Sequence, residues 1–71
     1  MYAPRNPFRN RIVQLLAERD TTELLFCEEH NFQQSHFNKI KNRRIVPGGV
    51  LMFRIAQAFG VPVEAVFELR K

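Results

Sequence analysis

Apolar residues recur along most of the chain at the three- and four-residue spacing that gives a helix one buried stripe. Ile12, Leu15 and Leu16 mark a first helix over residues 9–19, with Asn10 placed to cap its start. Asp20, Thr21 and Thr22 form a break, and Thr22 can cap a second helix over 23–30 that carries Leu25 and Phe26. Glu23 in its first turn suits the positive helix end. Asn31 tolerates the left-handed conformation that closes a helix. A third helix follows over 34–42, in which Phe37 and Ile40 are the apolar positions and turn inward, with Phe32 packing in from the turn.

Pro47, Gly48 and Gly49 stop the next loop. A fourth helix over 50–59 bears Leu51, Ile55, Ala58 and Phe59 on one side, and Gly60 closes it. Pro62 opens a short fifth helix over 62–69, striped by Ala65, Val66 and Leu69. No segment alternates as a strand does. Residues 1–8 carry Pro4 and Pro7 without periodicity and read as a flexible arm, which leaves 9–71 as the folded domain. The pattern is that of one all-α, five-helix domain.

Charge sharpens this picture. The 71 residues carry a formal net charge of +4, and it is unevenly spread. Five acids, Glu18, Asp20, Glu23, Glu28 and Glu29, crowd the second helix and its approach. From His30 to Val63 there is no acid, while Lys39, Lys41, Arg43, Arg44 and Arg54 lie within that stretch. Such segregation is what a polyanion-binding face requires.

The third helix lies inside the acid-free stretch. Its outward positions are Gln33, Gln34, Ser35, His36, Asn38, Lys39 and Asn42, all hydrogen-bonding side chains. An exposed helix with no binding duty would carry Glu–Lys pairs four residues apart, and this one has none. Two short helices joined by a tight turn, the second lined with amides, a serine and a lysine, match a helix-turn-helix that reads base edges in the major groove. On that reading Gln33, Gln34, Ser35, His36, Asn38 and Lys39 contact bases. Asn42, Arg43 and Arg44, with Lys41 and the cap Thr22, contact phosphates and set the register.

From Asn10 to Phe67 the chain resembles the Cro/C1-type (XRE) helix-turn-helix family of phage repressors and bacterial regulators. The resemblance is carried by Pro47, by R-I-A-Q-A-F-G-V at Arg54–Val61 and by V-E-A-V-F at Val63–Phe67. Upstream it rests on F-N-K-I-K-N at Phe37–Asn42 and on Ile12 and Leu15. It implies a five-helix, lambda-repressor-like domain. It implies that Gln34, Ser35 and Lys39 touch bases, that Gln33 lies near a base or phosphate, and that Asn42 and Arg44 grip phosphate. It also implies a homodimer on a palindromic operator, joined through Val61, Val63, Val66, Phe67 and Leu69.

The departures from the family pattern are specific. Glu23 stands where a phosphate-contacting glutamine is usual, Asn31 where a turn glycine is usual, and Gln33 where a capping serine is usual. Thr21 replaces a leucine, and Arg43 a glycine that follows the asparagine. Leu24, Leu25 and Val50 fall at normally polar positions. They either mark a surface for a second subunit or protein partner, or are buried by a slight rotation of the second helix.

Other chemistry is poorly served. Cys27 cannot form an internal disulfide, which fits a reducing cytoplasm. Cys27, His30 and His36 lack the fourth ligand of a structural zinc site, so Cys27 is expected as a packed core residue and no metal or other cofactor is expected. No apolar run approaches the roughly 20 residues of a membrane span. Ser35 and His36 are neighbours that do not share a helix face, and Gly48-Gly49 lacks a following lysine or threonine, so no catalysis is expected. Phe26, Phe37, Phe53, Phe59 and Phe67 sit at core spacings rather than forming a stacking platform for single strands. The remaining alternatives are a protein-interaction module on this fold and an antitoxin-type regulator paired with a toxin.

Overall fold

The computed structural model describes residues 8–69, with the side chains of residues 9–68. Five helices follow a short strand: β1 (Phe8–Asn10), α1 (Ile12–Glu18), α2 (Glu23–His30), α3 (Gln34–Lys41), α4 (Gly49–Phe59) and α5 (Val63–Val66). A second strand, β2 (Phe67–Leu69), closes the described chain and pairs antiparallel with β1, with Arg9 opposite Glu68. The expected arm, including Arg5, lies outside the described residues apart from the backbone of Phe8.

The two-stranded ribbon corrects the sequence reading at both ends. The first helix begins at Ile12 rather than Arg9, and the fifth ends at Val66 rather than Leu69. The Arg11 amide donates to the Val66 carbonyl at 2.8 Å, so α1 starts where the ribbon ends. Three-residue strands contain one alternation each, too little for period-two patterning to register. Their pairing is stabilised by contacts distant in sequence.

The described chain shows one solution for ending a helix, used four times. After α1, α2, α3 and α4 a residue at positive φ turns the chain: Asp20 (54°), Asn31 (61°), Arg43 (62°) and Gly60 (73°). The amide of the following residue reaches back to the last turn, as in Thr21 to Leu16, Phe32 to Cys27, Arg44 to Lys39 and Val61 to Ala56. This is the six-to-one bond of a Schellman closure, which satisfies orphan helix carbonyls. Asparagine and aspartate visit this conformation readily and glycine does so freely, but an arginine there is strained.

The core joins Ile12, Leu15 and Leu16 of α1, Phe26 and Cys27 of α2, Phe37 and Ile40 of α3, Ile55, Ala56 and Phe59 of α4, and Val66 and Phe67. Phe26 stacks on Phe59 with ring centroids 4.3 Å apart, and Phe37 lies 5.6 Å from Phe26 and 5.7 Å from Phe32. These rings clamp α2, α3 and α4 together. The guanidinium of Arg54 lies 5.2 Å over the Phe32 ring and closes the cluster's edge. Arg19 donates to the carbonyl of Phe59 at the C-terminal end of α4, where a cation suits the helix dipole.

Phe53 does not join this core. It is 57% exposed, a correction to the sequence reading. It lies two residues from both Leu51 and Ile55, and such a spacing puts a side chain on the opposite side of a helix. Leu24, Leu25 and Val50 are exposed too, so no rotation of α2 hides its leucines.

Candidate nucleic-acid interface

α2 and α3 form the expected pair, joined through Asn31, Phe32 and Gln33. Thr22 caps α2, its hydroxyl accepting from the Leu25 amide at 3.2 Å. Gln33 precedes α3 without a side-chain cap bond, as its poor capping chemistry predicts.

α3 has three distinct sides. Phe37 and Ile40 are buried against the core. Gln34, Asn38 and Lys41, spaced i, i+4 and i+7, converge on the start of α2. Gln33, Ser35, His36 and Lys39 are exposed, and Asn42, Arg43 and Arg44 continue that exposed surface past the helix end. Every base-contact candidate from sequence is therefore at the surface, with Asn38 only half-exposed.

The convergence of the second side is on Glu23. The Lys41 ammonium lies 2.6 Å from Glu23 Oε1. Asn38 Nδ2 donates to both carboxylate oxygens at 3.2 Å, and Gln34 Nε2 donates to Oε2 at 3.2 Å. Asn42 Nδ2 extends the chain by donating to Asn38 Oδ1 at 3.2 Å. The Glu23 and Lys41 side chains are only 13% and 21% exposed. Burial pushes the Glu23 carboxyl up, but hydrogen bonds from Lys41, Asn38 and Gln34 outweigh it and hold the group below the ordinary carboxylate range.

Lys41, expected on phosphate, is therefore engaged inside the protein, because its partner Glu23 lies 18 residues earlier and the helix-period argument sees only neighbours on α3. The same carboxylate helps to raise the Cys27 thiol. Burial comes first and the Glu23 charge second, and together they push it to about 11. Cys27 is 2% exposed and packed in the core, as the sequence leads one to expect. Among the described residues no three His, Cys, Asp or Glu side chains converge as metal ligands.

The far end of α3 is anchored by Asn10. Its Nδ2 donates to the carbonyls of Ile40 and Lys41 at 3.2 and 3.3 Å, while its Oδ1 accepts from the Ile12 amide at 3.2 Å. Asn10 is not the N-cap the sequence suggests, since Arg11 holds that position; from one residue earlier it holds the first amide of α1 and ties the ribbon to the C-terminal end of α3.

The residues expected at a subunit interface divide. Val66 and Phe67 are buried inside this chain, so their side chains cannot meet a second copy. Val61 and Val63 are half-buried and line a shallow, mostly apolar groove of about 320 Å³ with Phe53, Ala56 and Pro62. Leu69's side chain lies outside the described set. Among the described residues no helix is long and apolar enough to cross a membrane.

No protein-family model matches the chain, and no curated protein matches it in sequence. The fold is similar to the crystal structure of a "putative DNA-binding protein" from Bacteroides fragilis, with a TM-score of 0.71. The two share 18% sequence identity, and the match covers 86% of this chain and 98% of that one. At that identity the likeness concerns the fold alone.

Proposed function

We propose that this chain is a sequence-specific double-stranded DNA-binding transcriptional regulator, a repressor of Cro/C1 type. The observation that carries the reading is the exposed, acid-free surface of α3. Gln33, Gln34, Ser35, His36 and Lys39 offer hydrogen-bonding groups along it, and Arg43 and Arg44 follow at its end. A helix of this kind enters the major groove, where amides, hydroxyls and ammonium groups distinguish base edges. Thr22, Asn42, Arg43 and Arg44 surround it as phosphate contacts. The likeness in fold to the "putative DNA-binding protein" from Bacteroides fragilis supports the same reading.

One such helix covers few base pairs. A homodimer would place two in successive major grooves, about 34 Å apart, over a palindromic operator. The groove lined by Phe53, Val61 and Val63 supports self-association there. The chain acts by binding rather than by catalysis, in the cytoplasm, without a cofactor. A second reading, a protein partner on the apolar surface, is favoured by the exposure of Leu24, Leu25, Val50 and Phe53.

Selection from a random duplex pool at stated salt tests the proposal. An enriched palindromic motif is expected. Lys39→Ala should then relax one base column, at about 1–3 kcal/mol, whereas Arg44→Ala should weaken all sequences alike and flatten the salt dependence. Binding without an enriched motif would contradict the regulator reading.

A further inference from the structure

We infer that the cleft between α3 and α4 is a binding site for a small aromatic carboxylate, which sets its ring on the apolar floor of the cleft and its charge on Arg54. The inference goes beyond the DNA-binding reading and does not depend on it.

Between the two helices lies an open cavity of about 180 Å³. Its floor is Phe37 and Ile40 of α3 with Leu51 and Ile55 of α4, and Phe32 forms one wall. The Phe32 and Phe37 rings lie 5.7 Å apart and both pack on Phe26, so this side of the cleft is held by the core. An apolar cavity of about 150 Å³ holds a benzene molecule, so this one takes a single ring with a short substituent. The floor offers no hydrogen-bonding side chain, which disfavours a sugar or a bare inorganic anion there.

The rim supplies the charge. Arg54 is exposed and lines the opening, with its guanidinium 5.2 Å over the Phe32 ring. That stacking uses the face of the planar group and not its N–H edge, which can meet a carboxylate with two parallel bonds. No ion pair among the described residues includes Arg54. Every residue lining the cleft falls in the acid-free stretch from His30 to Val63, so no carboxylate competes for that cation. A cationic ligand would be repelled by Arg54, and a neutral ring would leave the guanidinium unused. A ring bearing a carboxylate satisfies both parts of the site.

The test titrates phenylacetate, at constant ionic strength, into the isotope-labelled full chain without DNA. Saturable shifts are expected at Leu51, Arg54 and Ile55, half-complete at about 1 mM or below, with intermolecular NOEs from the ring protons to the Leu51 and Ile55 methyl groups. Benzyl alcohol keeps the ring without the charge, and acetate the charge without the ring; each should bind at least about fivefold more weakly. Arg54→Gln, checked first for a cooperative unfolding transition, should weaken phenylacetate at least about fivefold and leave benzyl alcohol unchanged. Should that variant fail to fold, the wild-type comparison of the three ligands and the NOE contacts decide. Absence of saturation by about 10 mM, or equal binding of phenylacetate and benzyl alcohol, overturns the inference. So do NOEs to Phe53 and Val61, which would place the ring in the other apolar groove. The same resonances shifting with protein concentration alone would show a second copy in the cleft and overturn it as well. Because no DNA is present, failure here leaves the DNA-binding reading intact, and a duplex selection without a motif leaves this site intact.

Discussion

Two sides of α3 carry nearly the same kinds of residue and do different work. One side, Gln34, Asn38 and Lys41, is gathered onto Glu23 at the start of α2. The other, Gln33, Ser35, His36 and Lys39, faces solvent. Amides and lysines occur on both. What separates them is one carboxylate on the neighbouring helix, which turns part of a would-be reading surface into a brace for the rest. A polar helix surface is thus not equivalent to a free one, and the division is set by the partner helix.

The comparison breaks most visibly from the buried side of the same helix. Phe37 is 1% exposed and packs on Phe26 and Phe32, so Phe37→Ala should cost about 3–5 kcal/mol and bring so small a domain close to unfolding. Denaturant unfolding monitored by circular dichroism measures this. If the loss were small, α3 would not be held by its apolar face and the roles of its sides would need redrawing.

The braced side should come next. Lys41→Met removes the shortest contact to Glu23 and should cost about 1.5–3 kcal/mol, whereas Lys39→Ala, on the solvent side, should change stability by less than about 0.5 kcal/mol. The Glu23 carboxyl titrates lower in the folded chain than in the unfolded one. Its stabilisation is therefore present above the unfolded carboxyl range and is lost as pH falls through the folded one. The stability difference between wild type and Glu23→Gln should accordingly shrink between about pH 7 and about pH 3. A difference constant over that range would mean that the network does not depend on the charge of Glu23.

The smallest effect is expected just beyond the helix. Arg43 occupies a left-handed position, and Arg43→Gly should relieve about 0.5–1 kcal/mol of backbone strain. The same change removes a cation from the proposed phosphate-contacting surface, so DNA binding should weaken and its salt slope fall by about one. Gain in one property with loss in the other would identify Arg43 as a residue retained for binding at the expense of stability. Thermal unfolding and a salt titration of affinity read the two effects separately.

Much of this architecture could be read from the pattern of residues. α2 is reproduced at both ends, because Thr22 and Asn31 are strong local punctuation. Phe37 and Ile40 were assignable to the core because they interrupt an otherwise polar helix. The ribbon of β1 and β2 was not readable, since its stability comes from pairing residue 8 with residue 69. The exposure of Phe53, by contrast, follows from its standing two residues from both Leu51 and Ile55, a spacing that outweighs its apolar character. In the candidate site, the separation of inner from outer residues on α3 was clear. The Glu23 network was not, although the unusual acid at that position was its one visible sign. Asn10 likewise reads as a local cap, and only the fold brings it to the end of α3.

On the proposed reading the exposed residues of α3, Gln34 among them, lie against bases, while Asn38 and Lys41, held on Glu23, do not. Titrating isotope-labelled protein with the selected duplex, and following backbone and side-chain amide resonances, tests it most directly. The largest shifts should fall on Gln33, Gln34, Ser35, His36, Lys39, Arg43 and Arg44. The Asn38 side-chain amide, bound to Glu23, should stay near its free position. Shifts concentrated instead on Leu24, Leu25, Val50 and Phe53, with α3 unmoved, would contradict it.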